Sequence, residues 1–238
     1  MARKRKRGGG LFRGWGARLL GVLVLLLAGG FAWLWWDTQH WRPDEGAYPD
    51  QGVEISARDG TVNFRTLRAL GARFAYLHAS DGERAQDPAF AANLRSAREA
   101  GMQVGAIHRF DPCRPADAQS ANFVTLVPRD AGLLPPVIAL TTGTESCDVR
   151  VNEATVESEL TTLANQIENH AGKPVILKIA PEFDAQYGIA AKIERHLWLV
   201  RTRLLPDYGG RPWMVWTANE ALVSDGAEGP LRWLVVRS

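Results

Sequence analysis

Residues 72–110 read ARFAYLHASDGERAQDPAFAANLRSAREAGMQVGAIHRF, and the fold class turns on this stretch. ARFAYLHAS (72–80) is short, apolar and aromatic, as a buried strand is. Pro88–Ala100 has apolar side chains at helical spacing, a proline near its first turn and Gly101 at its end, which start and stop a helix. QVGAIHRF (103–110) returns to a strand. Strand, helix and strand in that order form a βαβ unit, and its two strands run parallel.

The same alternation extends in both directions. Upstream lie a strand GVEIS (52–56) and a helix Val62–Leu70 stopped by Gly71. Downstream come a helix Pro115–Val127, a strand PPVIALT (135–141) and a long amphipathic helix Val151–His170 closed by Gly172. Further strands are KPVILKIA (173–180), HLWLVRT (196–202), PWMVWTA (212–218) and LRWLVVR (231–237), and only 181–195 reads as helical between them. Eight strands in roughly 190 residues predict an α/β chain, a small, irregular (β/α) TIM-like barrel with a parallel sheet. No glycine-rich phosphate loop follows any strand, so no nucleotide and no other cofactor is implied.

The chain has 238 residues and a formal net charge of +2. Seven basic side chains (Arg3, Lys4, Arg5, Lys6, Arg7, Arg13, Arg18) and no acid lie in 1–18, which leaves 21 basic against 26 acidic residues from Leu19 onward. The basic excess belongs to a tail, which argues against nucleic acid as a partner. Hydrophobic content of 46% and charge of 23% are globular values. Leu19–Trp36 holds 18 residues without a charge. As a helix it would be about 27 Å long, close to the ~30 Å hydrocarbon core of a bilayer. The sequence therefore predicts a basic cytoplasmic tail (1–18), a transmembrane anchor (19–36), a polar linker (37–50) and a barrel (51–238) outside the cytoplasm, a single-pass inner-membrane protein with a periplasmic domain. The alternative is a cleaved signal sequence with its small-residue zone at 28–32.

Several segments resemble the glycoside hydrolase family 25 lysozymes, which cleave peptidoglycan between N-acetylmuramic acid and N-acetylglucosamine. The family's first strand reads G-[IV]-D-[VI]-S; here it is Gly52-Val53-Glu54-Ile55-Ser56. Its second strand matches Phe74-x-Tyr76 through Ala79-Ser80-Asp81-Gly82. Its next unit matches Asp87-Pro88, Phe90, Asn93, Ala97, Ala100-Gly101, Val104-Gly105-Ala106, His108 and Phe110. Ala118-Gln119, Asn122-Phe123 and Leu134-Pro135-Pro136-Val137 follow in order. The resemblance implies a peptidoglycan ligand and sugar contacts at Tyr76, Asp81, His108, Trp198 and Trp216.

The departures fall on the chemistry. The family's L-D-V-E acids correspond to Ala139 and Thr141, its first-strand Asp to Glu54, and Arg232 stands where a late Asp is usual. Glycoside cleavage needs an acid for the leaving oxygen and a second carboxylate to manage the oxocarbenium charge. Ala139 and Thr141 supply neither, so Glu54 is the one retained catalytic carboxylate and hydrolysis is expected to be lost or impaired. An inward Glu54 either contacts sugar or pairs with Lys178 or Arg232. Asp111, Glu145 and Asp148 could relocate the acid, or serve as solvated loop acids and helix caps. His108 could donate a proton, or sit hydrogen-bonded in the core. Trp198, Trp213, Trp216 and Trp233 could stack on sugars or fill the core. An active muramidase using Glu54 and an envelope module that binds another protein are the competing functional readings.

Cys113 and Cys147 each fall just past a strand end in consecutive βα loops. Outside the cytoplasm such neighbours are expected to form a disulfide. No paired Cys/His spacing suggests a metal.

Overall fold

In the computed structural model, residues 11–145 and 147–237 are described. Most of the basic tail, residues 1–10, lies outside them. Helix α1 (Leu11–His40) stands as one unit and residues 41–238 as a second. Within α1 the span Arg18–His40 contains an 18-residue window of mean hydropathy 2.1 and is long and apolar enough to cross a membrane. The helix outruns the expected 19–36 because Thr38 and His40 continue it, their side chains bonding to the carbonyls of Leu34 and Trp36. Pro43 then bars further helix. The expected linker therefore divides. Residues 37–40 belong to α1, while Trp41, Arg42 and Tyr48 pack on the second unit.

That unit is an α/β barrel. Its strands are β1 (Gln51–Ile55), β2 (Ala72–Asp81), β3 (Ala85–Gln86), β4 (Gln103–Arg109), β5 (Val137–Leu140), β6 (Ile176–Ile179), β7 (His196–Val200), β8 (Val215–Leu222) and β9 (Leu231–Val236). The sheet order is β1-β9-β8-β7-β6-β5-β4-β2-β3, and β1 also pairs with β2. That last pairing closes eight strands into a barrel and leaves β3 as a short hairpin partner of β2. One expectation needs correction. The sheet is not wholly parallel, because β9 runs antiparallel to both β1 and β8. The eight residues between β8 and β9 are too few for a parallel crossover, which takes a dozen or more.

The helices form where their end signals stand. In α5 (Glu153–Ala171), the Asn152 side chain accepts from the Thr155 N–H, and Gly172 ends the helix at φ +66°. Its buried stripe is Val156, Leu160, Leu163, Ala164 and Ile167. Each fully buried Val, Leu or Ile side chain there contributes about 1.5–3 kcal/mol. α2 (Phe64–Ala69), α3 (Phe90–Glu99) and α4 (Ala116–Leu126) cover the sheet in the same way, and α6 (Pro181–Tyr187) and α7 (Ile189–Lys192) split the expected 181–195 helix at Gly188.

Strand alternation sorts the sheet residues. Val53, Ile55, Ala75 and Leu77 face the helices. Phe74, Tyr76, Ile107, Val137, Ala139, Ile176, Trp198 and Leu234 fill the barrel interior. Gly105 on β4 makes room for the Tyr76 ring, since a Cβ there would lie 2.1 Å from the ring.

Candidate functional site

Above that interior layer, a cavity of about 400 Å³ opens among Glu54, His78, Asp81, Arg109, Lys178 and Arg232. These lie where the parallel strands end and antiparallel β9 begins, the face on which such barrels build sites. Ala139 and Thr141 also line it.

Glu54 is the centre of the arrangement. It is buried on β1, whose backbone pairs with Tyr76 on one side and Arg232 on the other. The Lys178 ammonium donates to both carboxylate oxygens, at 2.6 and 2.5 Å. His78 Nε2 lies 2.8 Å from Oε1, and Arg232 Nε 3.8 Å from the same oxygen. Burial alone would raise the Glu54 pKa, but Lys178, the His78 hydrogen bond and charge, and Arg232 outweigh it and hold the carboxyl well below its ordinary range. Of the two expectations for Glu54, ion pairing is the one the geometry displays. Arg232 also donates to Asp59 at 2.5 Å and to the Glu54 carbonyl at 3.3 Å. Asp59 is buried in the turn after β1 and accepts from the Ser56 N–H as well.

The other expected site residues divide. Asp81 is on the cavity wall and pairs with Arg109. Tyr76 lies in the layer beneath; its hydroxyl donates to the Pro135 carbonyl at 3.3 Å, and burial pushes its pKa up. Trp198 is fully buried, not exposed for stacking: its N–H donates to Thr217 Oγ1 at 2.7 Å and Lys178 covers its ring at 5.1 Å. Trp216 points outward from β8 into a cluster with Trp41, Tyr48 and Trp213. Alternation puts it on the opposite face from Thr217 and away from the cavity. His108 also points outward. It is buried between β2 and α4, where Ser80 Oγ lies 2.8 Å from Nδ1 and Gln119 Oε1 3.3 Å from Nε2. Burial takes its pKa down to about 4, against smaller upward pulls from Gln119 and Asp81, so the ring is neutral at pH 7.

Residues not singled out from the sequence are His78, Asp59 and Arg109. A usable signal existed for two of them. His78 is two residues past inward Tyr76, and Arg109 two past inward Ile107, so both share the inner face. The Cys113–Cys147 disulfide is formed, with Cα atoms 5.2 Å apart. It borders a second cleft of about 340 Å³ that shares Asp81 and Arg109 with the first. Asp111 and Asp148 line that second cleft, not the Glu54 cavity.

Known proteins share this architecture. The family model described as glycosyl hydrolases family 25 matches residues 53–222. The uncharacterised protein YegX of Escherichia coli K12 is 26% identical over 196 residues, 78% of this chain and 68% of its own length. A family 25 glycosyl hydrolase from Bacillus anthracis superposes with a TM-score of 0.74 at 26% identity, over 84% of this chain and 93% of that one. A bacterial lysozyme from Streptomyces coelicolor shares the fold with a TM-score of 0.69 at 21% identity, over 79% and 92%. A matched region running from β1 into β8, and a closed barrel with its cavity at the strand ends, have one reading: the chain belongs to glycosyl hydrolase family 25.

Proposed function

We propose that this chain is a membrane-anchored, lysozyme-like domain that binds cell-wall peptidoglycan at the Glu54 cavity with hydrolysis lost or strongly impaired. The observation that carries this reading is the engagement of Glu54. A general acid must hold a proton near neutral pH, and Glu54 is held ionised. As a nucleophile or base Glu54 would act with both oxygens already bonded to the Lys178 ammonium, which lowers its basicity. Ala139 and Thr141 bring no carboxylate to the same wall. Lys178 and Arg232 put positive charge where an oxocarbenium ion would develop, which opposes the stabilisation that glycoside cleavage needs. The span Arg18–His40 is the anchor, with the basic tail cytoplasmic and the barrel periplasmic.

The test uses the full chain in detergent with purified sacculi. The chain is expected to co-sediment with sacculi and to release no muropeptides above background. Release that disappears in Glu54→Gln would make it a muramidase. Absence of both binding and release would leave a protein partner in the envelope as the reading. Resistance to alkaline extraction from membranes, with the barrel open to protease in spheroplasts, is expected for the anchor.

A further inference from the structure

The outer face of β8 and β9 differs from the rest of the barrel. Among the described residues no helix follows β7 or β8. Trp41, Tyr48, Trp213 and Trp216 cover the face instead, with ring centroids 5.9 to 6.4 Å apart. Beside them runs the 201–214 connection. Arg203 donates its backbone N–H to the Ala218 carbonyl and stacks its guanidinium 5.5 Å over Trp41. The next two residues, Leu204 and Leu205, are 58% and 56% exposed. Arg237 stacks over Trp213 at 5.6 Å. Nearby acids include Asp207, paired with Arg201, and Glu220, bonded to Thr202. Two exposed leucines, aromatic rings and arginines whose stems lie on those rings are the chemistry of a membrane interface.

Chain connectivity names the occupant. Trp41 is the residue next after the apolar span Arg18–His40, so this face is tethered to that span by no intervening linker. Two leucines alone bind a bilayer weakly, but a tether supplies the effective concentration they lack. We propose that the Trp41–Leu204–Leu205 face is a second membrane contact that takes anionic phospholipid headgroups. Leu204 and Leu205 enter the acyl boundary, and Arg237 meets lipid phosphate. The proposal rests on the anchor reading above.

The test is hydrogen exchange of the full chain in nanodiscs of phosphatidylcholine, with or without phosphatidylglycerol. With phosphatidylglycerol, peptides covering 201–206 are expected to exchange about tenfold more slowly than without it. Leu204→Glu with Leu205→Glu is expected to abolish that slowing and leave α1 and β4 peptides unchanged. Equal exchange in variant and wild type, with α1 protected, would overturn the proposal and spare the anchor. Equal slowing in both lipids would overturn the headgroup recognition. Failure of α1 to enter the discs would overturn the anchor reading, and this proposal with it.

Discussion

Replacing Lys178 with Met tests the Glu54 cluster most directly. The substitution keeps a long, flexible side chain over Trp198 and removes the charge that both Glu54 oxygens bond. The Glu54 side chain is 2% exposed, so little solvent screens the pair. Removing one partner of a buried pair costs about 3–5 kcal/mol. His78 at 2.8 Å and Arg232 at 3.8 Å remain and offset part of this, which places the loss near the lower bound, about 3 kcal/mol. For a unit of this size that corresponds to a Tm lower by roughly 6–12 °C. The assay is urea unfolding of residues 41–238 followed by circular dichroism. The double variant Lys178→Met, Glu54→Leu removes the carboxylate that Lys178 neutralised and is expected to recover to within about 1–2 kcal/mol of the parent. pH adds a second axis. The folded-state pKa of Glu54 lies below its ordinary 4.5, so its contribution is present above that value and is lost as pH falls below it. The single variant should therefore show a weaker acid dependence than the parent. A single-variant loss under about 1 kcal/mol, or a double variant no more stable than the single, would refute the ion pair as the source of stability.

Four further outcomes are expected. The His108 ring should titrate near 4 by NMR, and its contribution to stability, present above 6.5, should fall as pH drops toward 4; a midpoint near 6.5 would contradict its burial. Gly105→Ala should destabilise the barrel by about 1–3 kcal/mol, because the new methyl would overlap the Tyr76 ring; unchanged thermal melting would contradict this packing. Cys113→Ser with Cys147→Ser opens a link across 34 residues and should cost up to about 4 kcal/mol, read as a Tm difference that reductant abolishes in the parent alone. Ala139→Asp with Thr141→Glu returns two carboxylates to the cavity wall and should produce muropeptide release where the parent gives none; continued silence would assign the block to Lys178 and Arg232 instead.

Much of the barrel was legible because its strands are short apolar runs bounded by glycines and prolines. The disulfide was legible because its cysteines follow neighbouring strands. The pairing of Glu54 with Lys178 was one of two open alternatives, since an inward carboxylate fixes the need for a partner but not which partner. Other features turn on quantities that a strand pattern does not carry. Alternation places Trp198 on the inner face but does not give its depth, and Lys178 proves to lie above it. The direction of β9 depended on the length of its connection, not on its composition. Residues 41–50 read as a polar linker because their packing partners, Trp216 and Trp233, lie far away in sequence.

The antiparallel last strand has a consequence for how the chain folds during synthesis. One edge of β1 is satisfied early, by β2, but the other stays open until β9 emerges from the ribosome. The charge on Glu54 faces a similar delay, because Lys178 is 124 residues and Arg232 178 residues downstream. Ring closure and charge neutralisation are therefore late, coupled events. Until they occur, Glu54 must stay in water, and a half-made barrel presents an unpaired strand edge on which a second nascent chain could dock.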